Sequence, residues 1–282
     1  MGKERVHAFH KNPRLACMAA LVSRLAPTLA ATGRHLAQER RCLACGQPFL
    51  PDSSATDETR THLFCPACAI GLTRREAGYC PLCGELSVWP TLPLAPCGRC
   101  LNTPPPWQAF HFHAAFSGLL RQMVHRLKYA SGLAEGAALG RLLAGHPGLA
   151  VAPFSLVVPV PLHPKRLRAR GFNQAVEIGR SLAAAMQNTA DKQSAAIHFD
   201  HEILCRTRNN RPQTGLSRKE RQENARGIFM ATPATTGQSI LLVDDVFTTG
   251  ATLKEATRTL LGAGAARVEV AVVARTAARC RL

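Results

Sequence analysis

From residue 107 onward the apolar positions of the chain switch repeatedly between two periods. Residues 117–128 set Leu119, Leu120, Met123, Val124 and Leu127 on one helical face, and residues 133–144 read as a second helix. Residues 154–160 form a short apolar run with Pro159 near its end, the pattern of a buried strand. Helical spacing returns over 173–186 through Ala175, Ile178, Leu182 and Met186, and the polar stretch 187–195 reads as a loop. Residues 240–243 predict another buried strand, 252–261 another helix and 268–273 a final strand. Strands that alternate with helices bury their apolar faces as a parallel sheet covered on both sides. The expected fold class is α/β, a Rossmann-like parallel sheet, for a domain spanning 107–282.

The residues before it follow neither period. Residues 1–41 are rich in Ala, Leu and Arg and predict a partly helical extension broken at Pro27. They carry only Glu4 and Glu39 as acids, a composition shared by transit peptides and amphipathic leaders. Residues 42–103 are turn-rich and hold four Cys-x-x-Cys pairs: Cys42/Cys45, Cys65/Cys68, Cys80/Cys83 and Cys97/Cys100. The prolines at 104–106 then make a stiff extended spacer.

Four pairs without the βαβ context of a redox domain argue for metal rather than disulfide chemistry. Two pairs make one tetrahedral four-thiolate zinc site, so the expectation is two structural zinc ions. Gly46, Gly84 and Gly98 stand where zinc knuckles turn. Sequential pairing gives a double zinc ribbon and is favoured; the spacing also permits an interleaved arrangement.

Charge adds a partner class. Thirty-five Lys and Arg against 18 acids give a formal +17, which two zinc-thiolate sites lower to roughly +13. So basic a chain attracts phosphate-rich partners, single-stranded DNA among them. The apolar stretch at 15–31 is interrupted by Arg24 and Pro27, so no membrane span is expected and the cytoplasm is the default location.

The most informative run is Ile240-Leu-Leu-Val-Asp-Asp-Val-Phe-Thr-Thr-Gly-Ala-Thr252. An apolar strand ends at two acids, and Thr248, Thr249, Gly250, Ala251 and Thr252 lead into a helix. Backbone N–H groups at a helix start, with nearby hydroxyls, hold a phosphate. Gly250 lets the backbone approach closely, while Asp244 and Asp245 are suited to accept hydrogen bonds from vicinal sugar hydroxyls. One ligand with both features is a 5-phosphoribosyl group. Gly-x-Gly-x-x-Gly and Walker A patterns are absent from this run, which argues against dinucleotide and P-loop folds.

Two basic segments complete the pattern. Lys165, Arg166, Arg168 and Arg170 follow one strand and precede a helix, in a loop that would bring cations to the same sheet edge. Arginine binds phosphate oxygens with strong, directional bonds, which suits a diphosphate. Residues 206–226 carry seven Lys and Arg against Glu220 and Glu223, with Pro212 and Gly215 favouring a mobile loop.

The 240–252 run resembles the phosphoribosyl pyrophosphate signature of type I phosphoribosyltransferases. More narrowly, residues 42–276 are similar to the ComF family of competence-associated, GntX-like proteins. The resemblance also rests on Pro104-Pro-Pro-Trp107, on Pro159-Val-Pro-Leu162 through Arg170-Gly-Phe-Asn-Gln174, and on Leu204-x-Arg206-x-Arg208 through Gln213, Leu216, Arg221, Asn224 and Phe229. One departure is Asn210, where the family usually has Thr.

The resemblance implies a type I phosphoribosyltransferase fold behind an N-terminal zinc ribbon, with 206–226 as a hood that closes over the site. It implies phosphoribosyl pyrophosphate as ligand with Mg²⁺, and Asp244, Asp245, Arg206 and Arg208 as the residues nearest to catalysis. It further implies a role in DNA uptake or natural competence, with competence or helicase proteins as partners. The alternative is an active phosphoribosyltransferase of nucleotide metabolism acting on a base or amine.

Overall fold

The computed structural model describes residues 39–51, 62–129, 132–150, 154–189, 196–207 and 227–277. In chain order, a small ribbon of β1 (Arg40–Arg41) and β2 (Pro48–Phe49) is followed by the short helices α1 (Pro66–Gly71) and α2 (Gly98–Asn102). Next come β3 (Phe110–Ala115), α3 (Gly118–Tyr129), α4 (Leu133–Ala144), α5 (Pro147–Ala150), β4 (Leu156–Pro159), α6 (Pro164–Arg170) and α7 (Gln174–Thr189). The chain continues through β5 (His198–Phe199), β6 (Leu204–Arg206), β7 (Phe229–Ala231), β8 (Ser239–Phe247), α8 (Ala251–Gly262) and β9 (Arg267–Arg275).

Five strands form one parallel sheet in the order β3-β9-β8-β4-β5. The α/β expectation of a parallel sheet with helices on both faces is met. Strand alternation divides the core. Ile240, Leu242, Val268, Val270 and Val272 face α8, the β6–β7 hairpin and the cysteine turn at 80–83. Leu241, Val243, Ala271 and Val273 face α3, α4, α7 and the first cysteine turn. Both sides of the central strands are buried, which is why β8 carries the unbroken apolar run 240–243 and β9 has Glu269 as the one polar residue among 268–274.

Four local readings change. Residues 187–189 extend α7 instead of starting a loop; Gln187 and Asn188 are exposed, and polar side chains cost nothing on a solvent-facing turn. Strand β8 runs past residue 243 to Phe247, so Asp244 and Asp245 lie inside the strand, and Asp244 pairs in register with Val272. The basic segment 164–170 is a helix rather than a loop, with Pro164 in its first turn and His163 Nδ1 accepting from the Lys165 N–H at 3.1 Å.

The fourth is β3, which apolar periodicity did not reveal because His111 and His113 interrupt it. Both imidazoles are buried, and each has a hydrogen-bonded ring nitrogen: His111 Nε2 lies 2.7 Å from Glu269 Oε2, and His113 Nε2 lies 2.7 Å from the Leu72 carbonyl. The expected extension at 1–38, the loop residues 190–195 and most of the hood, including Arg208 and Gln213, lie outside the described residues. Among the described residues no helix is long and apolar enough to cross a membrane.

Candidate functional site

In an open parallel sheet, ligands gather beyond the carboxyl ends of the strands, where the winding direction reverses. Here the chain steps outward from β4 to β5 on one side and from β8 to β9 on the other, so the reversal falls between β4 and β8. A cavity of about 500 Å³ opens at that place. Its wall includes Val160–Leu162 after β4, and Asp244 through Leu253 from the end of β8 into α8. Of the residues expected to bind the phosphoribosyl ligand, Asp244, Asp245, Thr248, Thr249, Gly250, Ala251 and Thr252 therefore line one cavity.

Adjacent strand residues point to opposite faces, and the two carboxylates diverge accordingly. Asp245 is buried on the α3 side and forms an ion pair with Lys128 Nζ at 3.0 Å. Asp244 accepts from the Asp245 N–H at 2.8 Å and lies near Arg206. Burial, and then the neighbouring Asp245 charge, push its pKa up to about 7; the Asp245 N–H, Lys128 and Arg206 oppose that rise.

Gly250 adopts φ 73° as the residue before α8, a conformation that favours glycine. A Cβ there would stand 2.4 Å from Phe247 Cζ. Close approach of backbone to ligand was the expected reason for this glycine; the fold supplies another, internal to the protein.

The cations sort by helical phase. Arg166 and Arg170, four residues apart on α6, reach the cavity wall, whereas Lys165 and Arg168 are exposed and absent from it. Arg170 donates to Gln174 Oε1 at 2.7 Å and lies 5.5 Å from the centre of the exposed Tyr129 ring. Arg206, at the end of β6, lines the cavity and lies 5.7 Å from the Phe229 ring. Burial and the Arg166 charge pull its pKa below the ordinary guanidinium value.

Two buried donors at this wall, Arg206 Nε and Gln174 Nε2, have no hydrogen-bond partner among the described residues. Sequence reasoning passed over Lys128 and Tyr129, which lie at the end of an amphipathic helix, and Gln174, which sits at the start of one. Periodicity carries no signal for a polar side chain that a helix end delivers to a distant strand.

The eight paired cysteines gather into Cys42, Cys45, Cys65 and Cys68, and into Cys80, Cys83, Cys97 and Cys100; within each set the sulfurs lie within 4.8 Å of one another. This is the sequential pairing. Cys45 and Cys65 Sγ are 3.8 Å apart, and Cys83 and Cys97 Sγ 3.7 Å. Four sulfurs placed tetrahedrally about 2.3 Å from a zinc ion stand roughly 3.8 Å from one another, so each set could hold one zinc. Burial pushes the Cys68 and Cys83 thiols up, and Cys100 to about 11. A divalent cation at the centre is what allows four such thiols to ionise together.

The clusters are bound firmly to the sheet domain. Arg126 Nη2 donates to the Leu43 and Ala44 carbonyls at 3.0 and 2.8 Å, and Trp107 Nε1 donates to the Leu82 carbonyl at 2.8 Å.

A parallel sheet, a hydroxyl–glycine loop after paired acids and two four-cysteine clusters define a phosphoribosyltransferase-type protein with an N-terminal zinc-ribbon module. The chain matches the phosphoribosyl transferase domain family over residues 183–281. It is 35% identical over 218 residues to the DNA utilization protein YhgH of Salmonella typhimurium, covering 76% of this chain and 90% of that protein. Identity to Competence protein F of Haemophilus influenzae is 29% over 206 residues, covering 70% and 84%. A shorter match of 31% over 112 residues, covering 40% and 44%, links it to Competence protein ComFC of Streptococcus pneumoniae. The chain belongs to the ComF family.

Proposed function

We propose that this protein binds phosphoribosyl pyrophosphate in the β4–β8 cavity and serves DNA uptake or utilization, with single-stranded DNA as a further partner. In this reading residues 107–282 form the ligand-binding domain, and residues 42–103 a double zinc ribbon. The loop Thr248–Thr252 takes the 5′-phosphate, Asp244 and Asp245 the ribose hydroxyls, and Arg166 and Arg170 the diphosphate. Lys165 and Arg168, outside the cavity wall, have no role in this pocket and are assigned to DNA.

One observation carries the reading: the cavity brings together at a single wall the helix-start loop, the acid pair and two buried donors that have no partner among the described residues. A buried donor left unpaired costs about 1–3 kcal/mol, which an anionic oxygen would relieve. Asp244 and Asp245 are hard oxygen donors of the kind suited to a Mg²⁺ ion travelling with the diphosphate, although Lys128 already neutralises Asp245. Such an ion would spread the diphosphate's negative charge.

The same site would serve an active phosphoribosyltransferase, with Arg206 near the reacting centre and an acceptor base or amine entering beneath the hood. Calorimetric titration separates binding from its absence. The Asp244→Asn/Asp245→Asn double variant should lose at least about tenfold in affinity for phosphoribosyl pyrophosphate, about 1.4 kcal/mol, while keeping its metal. Equal affinity in parent and variant would reduce the acids to strand-end residues and end this reading.

A further inference from the structure

Arg275, at the end of β9, is the only Lys or Arg among the described residues that is buried, at 2% exposure. It does not line the cavity, yet its guanidinium bonds directly to both the second cysteine turn and the loop at 248. Nε donates to the Cys83 carbonyl at 3.1 Å, inside the turn of the second cysteine cluster. Nη2 donates to Glu85 Oε2 at 2.6 Å, two residues further along that turn. Nη1 donates to the Thr248 carbonyl at 3.1 Å, at the start of the phosphate loop. The guanidinium carbon lies 4.8 Å from the centre of the Phe247 ring, the ring that leaves Gly250 no room for a Cβ.

Each contact constrains something specific. The Cys83 carbonyl belongs to a turn closed by the Gly84 N–H on the Cys80 carbonyl at 2.8 Å, so its direction follows the shape of the cluster. That turn is pressed against the sheet: a Cβ at Gly84 would lie 2.5 Å from Phe110 Cε1, and Phe110 packs on Phe247 at 4.9 Å. On the other side, a Thr248 carbonyl engaged by Arg275 is held by a group outside the cavity wall. A carbonyl turned into the cavity would repel a phosphate; one held away from it leaves the loop free to present donors. A planar guanidinium with a fixed fork transmits displacement between its partners better than a flexible ammonium.

We infer that Arg275 is a positioning residue through which the second cysteine cluster, Cys80–Cys83–Cys97–Cys100, sets the conformation of the phosphate loop. Among the described residues the first cluster has no hydrogen bond to that loop: Arg126 ties its Leu43 and Ala44 carbonyls to α3 and, through Glu135 at 2.8 Å, to α4. The inference rests on the proposed reading of 248–252 as a phosphate loop, but the linkage can be tested without a ligand. Loss of metal from the second cluster, or oxidation of its thiolates, would then be felt at the ligand site, and ligand would in turn steady that cluster, since coupling between sites is reciprocal.

The test is hydrogen–deuterium exchange of peptides spanning 246–254 in the full chain, with metal content measured in parallel. Cys97→Ser opens the second cluster and Cys45→Ser the first. Exchange should rise at least about fivefold in Cys97→Ser and in Arg275→Met, and stay at the parent rate in Cys45→Ser. The Cys97→Ser/Arg275→Met double variant should exchange no faster than Arg275→Met alone, because both act through one link. A general loosening of the fold would instead make the effects add, and would respond to either cluster; either result overturns the inference.

If Arg275→Met does not yield folded protein, Glu85→Gln takes its place in the same comparison, with metal content as the control, since it weakens one arm of Arg275 together with the Arg99–Glu85 ion pair at 2.9 Å. Titration of the parent with phosphoribosyl pyrophosphate distinguishes the two levels of the argument. The expected exchange pattern without ligand binding would leave the linkage standing and remove the phosphoribosyl reading. Binding without the pattern would do the reverse.

Discussion

Lys128 and Asp245 are 117 residues apart in sequence and meet as an ion pair at 3.0 Å, the ammonium from the end of α3 and the carboxylate from inside β8. The pair explains why the two adjacent acids are not equivalent. Asp245 is neutralised from the helix side, whereas among the described residues Asp244 has only the backbone N–H of its neighbour at hydrogen-bond distance. Lys128→Met leaves a mostly buried carboxylate uncompensated and should lower stability by about 1–3 kcal/mol. Adding Asp245→Asn to that variant should restore part of the loss, giving a clear coupling energy in a double-mutant cycle followed by denaturant unfolding. Additive effects would mean that the pair is not energetically coupled.

The raised pKa of Asp244 makes a signed prediction about pH. The folded state holds this proton more tightly than the unfolded chain, so the group's contribution to stability is complete below the ordinary carboxylate pKa of 3.8 and is lost as pH rises through about 7. Asp244→Asn removes that dependence. The gap in melting temperature between variant and parent should therefore widen in the variant's favour between about pH 5 and pH 8. The cysteine clusters are common to both proteins and cancel in the difference. A gap independent of pH would show that Asp244 titrates in the ordinary range.

Purified protein should carry two zinc ions per chain, with elemental analysis as the measurement. Cys45→Ser and Cys97→Ser should each remove about one, because the sulfurs form two separate sets of four. Structural zinc is worth many kcal/mol to a module with so small a core, so each loss should also lower the melting temperature. A parent content near one would leave a cluster without its ion.

Single-stranded DNA should bind with steep salt dependence. Replacing exposed Lys165 and Arg168 by Gln should flatten the log–log slope by about 1.4, at roughly 0.7 per phosphate contact on a single strand. Affinity for phosphoribosyl pyrophosphate should change little, because neither side chain lines the cavity. An unchanged slope would place the DNA contacts elsewhere.

Much of the architecture was legible in residue order. Helix 133–144 matches α4 residue for residue, and the strands ending near 160 and containing 240–243 and 268–273 are β4, β8 and β9. Runs buried on both faces carry a pattern too plain to miss. Strand β3 was not legible, because two histidines fill core positions and bond to Glu269 and to the Leu72 carbonyl, both remote in sequence. The basic segment at 164–170 was read as a loop because charge dominates its composition; its helical phase sends Arg166 and Arg170 inward and leaves Lys165 and Arg168 outside.

Two kinds of information therefore separate in this protein. Cys-x-x-Cys spacing, the strand–acid–acid–hydroxyl–glycine run and the alternation of periods are local, and they determined the class of fold, the eight clustered cysteines and the place of the hydroxyl–glycine loop at the cavity. Which cysteine pairs share a cluster, which cations face the cavity, what Lys128 neutralises and what Arg275 joins depend on contacts between segments distant in the chain. Those contacts exist only once the sheet has set strand order, because an ion pair or a hydrogen bond acts over a few ångströms of space and carries no trace along the sequence that separates its partners.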